Sequence, residues 1–150
     1  MIEIRRNTDL QSLLRWRREV MSAVFGVAPS AELMRANEEY YRRHIADDSH
    51  IAYVASRKGV DIGCGAVCLT DELPSPDNHS GKCAYLMNIY IRPMFRRHGY
   101  AHLLVQKLVE TAKETGCGKI YLESTDLARS LYRATGFEEM GNMMKYETGF

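Results

Sequence analysis

The stretch Lys82–Ala101, KCAYLMNIYIRPMFRRHGYA, decides the fold, because an apolar run ends abruptly in a basic loop that carries one glycine and opens a helix. From Cys83 to Ile91 apolar side chains occupy both alternations, which suits a strand covered on both faces. Pro93 ends its ladder. Beyond the loop, Ala101, Leu104, Val105, Leu108 and Ala112 recur at helical spacing, and Gly116 stands where a residue tolerating positive φ closes a helix. The order is strand, loop, helix. Such a junction aims several unbonded backbone N–H groups, backed by the positive end of the helix dipole, into the loop. It therefore predicts an anion site, with a diphosphate as its natural guest. Gly99 permits close approach of the backbone, Ala101 is too small to block it, and Arg96 and Arg97 add charge at the rim. Neither a Walker loop nor a three-glycine dinucleotide fingerprint is present.

The loop has the form R-x-x-G-x-A, read as Arg96-Arg97-His98-Gly99-Tyr100-Ala101, and it is followed by ARSLYRATGF from Ala128 to Phe137. In this order and spacing the pair resembles the GNAT superfamily of acetyl-CoA-dependent N-acetyltransferases, closely from roughly Gly63 to Phe137 and in outline elsewhere. The resemblance implies an α/β fold of the α+β kind. Its centre would be a mixed, mostly antiparallel sheet of six to seven strands, flanked by about four helices, with the fourth and fifth strands splayed apart. It implies acetyl-CoA as cofactor, held by Arg96, Arg97, His98, Gly99, Tyr100 and Ala101 and by backbone groups of Ile89, Tyr90 and Ile91, which would pair with the pantetheine arm as another strand would. Tyr132 occupies the place of a tyrosine that serves as general acid toward the CoA sulfur, and Thr125 stands where many relatives carry a cofactor-contacting asparagine. A hydroxyl can supply only part of that contact.

At 150 residues the length fits one domain, able to bury a core without metal or disulfide staples. With 20 Lys and Arg against 19 Asp and Glu, no overall field recruits nucleic acid or an anionic membrane, so any basic site must be local. Cys64, Cys68, Cys83 and Cys117 form no C-x-x-C pair and read as free thiols in a reducing compartment. The N-terminus MIEIRRNTDL has no apolar signal region and no run of eighteen apolar residues occurs, which gives a cytoplasmic expectation.

Along the chain, Ile2–Arg6 alternates as a short strand, and Asn7, Thr8 or Asp9 caps a helix from Leu10 to about Phe25. That helix carries an apolar stripe of Leu10, Leu13, Leu14, Val20 and Val24 interrupted by Arg17, with Arg15, Arg17 and Arg18 as a basic face. Either solvation or contact with an acidic substrate accounts for the face. Ser30 caps a second helix to about Ala46. By resemblance these two helices wall the acceptor pocket, making Glu38, Glu39, Tyr40 and Tyr41 its candidates. His50–Arg57 and Val60–Thr70 form a hairpin about Lys58-Gly59, and DELPSPDNHSG from Asp71 to Gly81 is a long loop in which Asp77 and His79 are candidates for substrate contact. Lys119–Glu123 reads as a strand, Thr125 or Asp126 caps a helix Leu127–Thr135, and a turn at Gly141-Asn142 leads to a last strand through Tyr146.

Acetyl transfer to an amine needs a neutral amine near the carbonyl carbon, polarisation of the carbonyl oxygen and a proton for the departing sulfur. By resemblance a backbone N–H near Ile89–Ile91 polarises the carbonyl and Tyr132 supplies the proton; a phenol, with a pKa of about 10, is protonated at neutral pH. Spacing marks no base. Asn88 or Tyr90 lining the pocket, and a water chain to a carboxylate such as Glu123, are both open. Three functions follow: acetylation of a small-molecule amine, favoured because the long loop could cover a groove; acetylation of a protein or peptide amine; and a non-catalytic acyl-CoA sensor. A homodimer through the apolar tail Met140–Phe150 is a further expectation.

Overall fold

The computed structural model describes residues Met1–Phe150. In chain order the elements are β1 (Glu3–Arg6), α1 (Leu10–Phe25), α2 (Ala31–Ala46), β2 (His50–Arg57), β3 (Val60–Asp71), β4 (Lys82–Ile91), a 3-10 turn Pro93–Phe95, α3 (Tyr100–Glu114), β5 (Lys119–Leu122) and α4 (Arg129–Ala134). Local chemistry sets the boundaries. Asp9 accepts the Ser12 amide at 2.9 Å and starts α1, Ser30 accepts the Leu33 amide at 3.1 Å and starts α2, and Gly26 ends α1 at φ 76°. Lys58 and Gly59, both at positive φ, form the two-residue turn that matches the twist of the β2–β3 hairpin.

The five strands lie in sequential order, antiparallel except for the parallel pair β4–β5. Helices cover both faces. On one face Ile51, Tyr53, Val67, Ala84 and Leu86 meet Leu104, Val105 and Leu108 of α3, with Tyr132 of α4 closing the cluster. On the other, Ala52, Val54, Cys64 and Ala66 meet Leu13, Trp16 and Val20 of α1 and Tyr41 of α2. Trp16 lies outside the apolar stripe that the spacing of α1 predicts, and Val24, inside that stripe, is instead 62% exposed. Leu104, Val105 and Leu108 are fully buried, and at about 1.5–3 kcal/mol for each large apolar side chain they seat α3 firmly enough to hold a strained loop at its start.

Two features of the sheet position the site. β5 stops at Leu122, opposite Leu86, while β4 continues through Met87–Ile91 with nothing on that side. Within that extension Asn88 adopts φ 57°, and the β3–β4 register shifts between Cys64 and Ala66. A bulge therefore re-aims the strand where its edge becomes free.

The expected six to seven strands are five. The Gly141-Asn142 turn forms, yet no strand follows it, and Met143, Met144, Tyr146 and Phe150 stay exposed. A short hairpin without a partner sheet buries too little apolar area to hold itself. Nor does Thr125 or Asp126 stand directly at the start of α4, whose N-cap is Ala128. No helix is long and apolar enough to cross a membrane.

Candidate functional site

At the start of α3 the backbone turns through Arg97 at φ 65° and Gly99 at φ 80°, both left-handed. No side chain caps the helix, whose first internal bond runs from the Leu103 amide to the Gly99 carbonyl. None of the backbone N–H groups of Arg97, His98, Gly99, Tyr100, Ala101 and His102 donates to a protein acceptor. Six consecutive donors at the positive end of a helix form a cradle for a multiply charged anion. Beyond Gly99 the space is open, with no heavy atom within 4 Å of where a Cβ would stand. Arg96 does not stand free at the rim. Its Nε donates to the Ile91 carbonyl at 2.7 Å and its guanidinium lies 5.5 Å from the Tyr90 ring, because the turn after Pro93 folds the loop back on the end of β4.

Gly99→Val is expected to weaken CoA binding by tenfold or more, since a β-branched residue resists positive φ and the donors would lose their common aim. The same strain should lower stability by about 1–2 kcal/mol. Calorimetric titration of CoA, paired with thermal melting, checks both; unchanged affinity would refute the cradle.

The amides of Ile89, Tyr90 and Ile91 divide by strand alternation. The Arg92 amide donates to the Ile62 carbonyl on β3 at 2.8 Å. Tyr90, two residues earlier and paired with Cys64, therefore also turns its backbone to β3. Ile89 and Ile91 turn theirs to the free edge, where the Ile91 carbonyl is taken by Arg96. The Ile89 and Ile91 N–H groups and the Ile89 carbonyl remain to pair with an extended chain. Arg92 pins this end of β4: it holds both carboxylate oxygens of Glu19 at 2.9 Å, the Asp61 carbonyl at 2.9 Å, and stacks 4.6 Å from the Trp16 ring.

Tyr132 is buried among the residues packed under α3, its ring 5.9 Å from that of Phe137. Its hydroxyl has no protein partner and is not among the sealed polar atoms, so it retains an opening to solvent. Burial holds the phenol above its ordinary pKa. Thr125 serves the local backbone, its Oγ1 accepting the Ala128 amide at 3.3 Å in the turn into α4.

On the opposite face of β4 lies a cleft of about 270 Å³ between α1, α2 and the bulge. Arg17 enters it, donating from Nε to Asn37 Oδ1 at 3.2 Å and from Nη1 to Asn88 Oδ1 at 2.9 Å. Tyr40, Tyr41 and His50 complete its polar wall. The Tyr40 hydroxyl stands 2.9 Å from His50 Nδ1, within hydrogen-bond distance, and burial lowers the imidazole to about 4, so His50 is neutral at physiological pH. Burial pushes the Tyr41 phenol up to about 12 against the pull of Arg17. Tyr40 and Tyr41 are thus wall residues, whereas Glu38 and Glu39 are not, Glu38 being 3.6 Å from Arg42.

The loop 72–81 does not cover this cleft. It joins the opposite end of β4, where Asn78 Nδ2 donates to the Lys82 carbonyl at 3.2 Å and Ser80 to the Gly116 carbonyl at 3.1 Å. At about 3.3 Å of rise per residue, the length of β4 keeps Asp77 and His79 away from the loop at Gly99.

Glu123 follows the last residue of β5. By strand alternation Glu123 falls on the face shared by Tyr85 and Tyr121, whose rings lie 5.0 Å apart. The Tyr85 hydroxyl donates to Glu123 Oε1 at 3.2 Å. Burial first, then the Glu123 charge, push the Tyr85 phenol up to about 12, so it remains a donor. The cleft wall has no Asp or Glu of its own, and Glu123 stands outside that lining, just past the end of β5. Arg17 and Glu123 carried no spacing signal in the sequence; the legible hints were an arginine inside an apolar stripe and a glutamate ending a strand.

Against known proteins, the profile of the Acetyltransferase (GNAT) family matches residues 10–137. A probable glucosamine 6-phosphate N-acetyltransferase 2 of Oryza sativa subsp. japonica is 36% identical over 64 residues, 43% of this chain and 39% of that protein. A thialysine N-epsilon-acetyltransferase of Bos taurus is 32% identical over 63 residues, 40% of this chain and 37% of that protein. The chain thus spans well under half the length of the curated relatives it matches. Among solved structures, a predicted acetyltransferase from Clostridium acetobutylicum, crystallised with acetyl-CoA, superposes with a TM-score of 0.85 at 26% identity, covering 98% of this chain and 96% of that one.

Proposed function

The chain belongs to the acetyltransferase (GNAT) family, and from that premise we propose that it transfers the acetyl group of acetyl-CoA to the primary amine of a small molecule by direct attack. The observation that carries this reading is a pair of free donor sets, the Arg97–His102 amides and the Ile89 and Ile91 amides on the open edge of β4, with Tyr132 on one face of the sheet and the cleft on the other.

In this reading the six loop amides hold the CoA diphosphate, and the Ile89 and Ile91 backbone pairs with the pantetheine arm. Acetyl-CoA supplies a thioester carbonyl carbon for the amine to attack. The Ile89 N–H, at the bulge, polarises the carbonyl oxygen. An acceptor in the cleft enters as an ammonium with a pKa of about 10.4, and Glu123 takes its proton, directly or through one water. The nitrogen–carbon bond forms as the carbon–sulfur bond breaks, the Tyr132 hydroxyl gives its proton to the sulfur, and the second proton of the attacking nitrogen leaves to solvent, which restores the phenol. The small volume of the cleft, about 270 Å³, favours a small acceptor, and two relatives are named for small amines, glucosamine 6-phosphate and thialysine.

Release of free thiol from acetyl-CoA, followed across a panel of small amines and peptides, tests the proposal. Turnover on small amines is expected. Preference for peptides would move the acceptor to a protein, and firm CoA binding without turnover on any amine would leave a sensor in place of an enzyme.

A further inference from the structure

We propose that the acceptor carries an anionic oxygen group, a carboxylate or a phosphate, as well as its amine, and that Arg17 binds that group inside the cleft. The inference rests on the acetyl-transfer reading for the identity of the amine, but the anion site stands on its own geometry.

Arg17 is half-buried, and both of its hydrogen-bond partners are neutral amides, Asn37 and Asn88. Of the five N–H donors a guanidinium offers, three remain unused. No carboxylate lies within salt-bridge distance of it, and the cleft wall supplies none. His50 adds no compensating charge because it is neutral, nor do the two tyrosines, whose phenols burial keeps protonated. The contrast is on the same helix: Glu19, two residues on, gives both carboxylate oxygens to Arg92. A cation held half out of water by neutral amides is positioned but not neutralised, and an oxyanion of the ligand would complete it.

The placement couples anion and amine. Asn88, which orients the guanidinium, directly precedes Ile89, whose amide faces the free edge where the acyl group would lie. Consecutive Cα atoms are only about 3.8 Å apart, so both ends of one small metabolite can be engaged together. The cleft, about 270 Å³, is near the lower end of small-molecule pockets, which span about 300–1,000 Å³. Amino acids with a side-chain amine and phosphorylated amino sugars fit this chemistry. Polyamines and unphosphorylated amino sugars lack the anion.

Matched pairs test it: lysine against 1,5-diaminopentane for the carboxylate, glucosamine 6-phosphate against glucosamine for the phosphate. In at least one pair the anionic member should show kcat/KM higher by about 10–100-fold, the usual worth of a charged hydrogen-bonded contact. Arg17→Met should erase that preference mainly through KM, and Arg17→Lys should restore part of it. Unaltered CoA affinity certifies the fold of each variant. The same pairs titrated calorimetrically into the CoA complex report the anion site without turnover. Equal or better binding of the members that lack the anion, or a preference that survives Arg17→Met, would overturn the proposal. Rapid acetylation of only the amines without the anion would do so while leaving acetyl transfer intact, whereas anion-selective binding without turnover would sustain the site and refute the enzyme.

Discussion

Tyr132→Phe is expected to lower kcat by about 10²-fold, the lower end of what a positioned acid contributes, with CoA affinity within about twofold of the parent. The lower end applies because a thiol, with a pKa of about 8.5, leaves more readily than an alcohol or amine. Stability should hold or rise slightly. The hydroxyl has no protein partner in a site that is otherwise apolar, so its removal breaks no bond and relieves a partly desolvated polar group. That combination separates chemistry from packing, since a merely structural tyrosine would lose melting temperature before activity. Single-turnover thiol release set against a thermal melt is the measurement. An unchanged kcat would remove Tyr132 from the reaction.

Glu123→Gln should reduce kcat/KM at pH 7 by a similar factor, about 10²-fold, and the deficit should shrink as pH rises toward 10. The acceptor sets the sign. At neutral pH an amine with a pKa near 10.4 is almost wholly protonated, so the enzyme needs a group to receive its proton; near pH 10 solvent has already taken much of it and the carboxylate becomes dispensable. Tyr85→Phe should produce a milder version of the same profile, because it deprives Glu123 of a hydrogen bond at 3.2 Å without removing the carboxylate. A ratio between parent and Glu123→Gln that stays constant from pH 7 to 10 would exclude Glu123 as the proton acceptor.

Much of the scaffold is legible from short-range pattern. The apolar spacing of α3, the glycine before it, the Lys58-Gly59 turn and the cap at Ser30 each depend on a few neighbouring residues and appear where the sequence puts them, while the structure selects Asp9 from Asn7, Thr8 and Asp9 as the cap of α1. The tail misled. A turn signal at Gly141-Asn142 with flanking apolar residues reads as a hairpin, but a strand also needs an edge to pair with, and no local pattern guarantees one. The 72–81 loop misled in another way: its composition declares a loop, while its attachment to the end of β4 remote from the cleft is a matter of topology.

The site divides along the same line. What the chain alone determined is the run of unbonded amides at the start of α3, because a strand–helix junction with a glycine leaves them free through the local backbone. Tertiary structure alone decided which amides of β4 are free, where a carboxylate stands and what charge the cleft holds. Arg17 and Asn88, 71 residues apart, meet only because α1 packs across a sheet whose bulge turns Asn88 toward it. Pairing register and helix packing are cooperative, long-range choices, so a residue's role there depends on partners that its own neighbourhood does not encode.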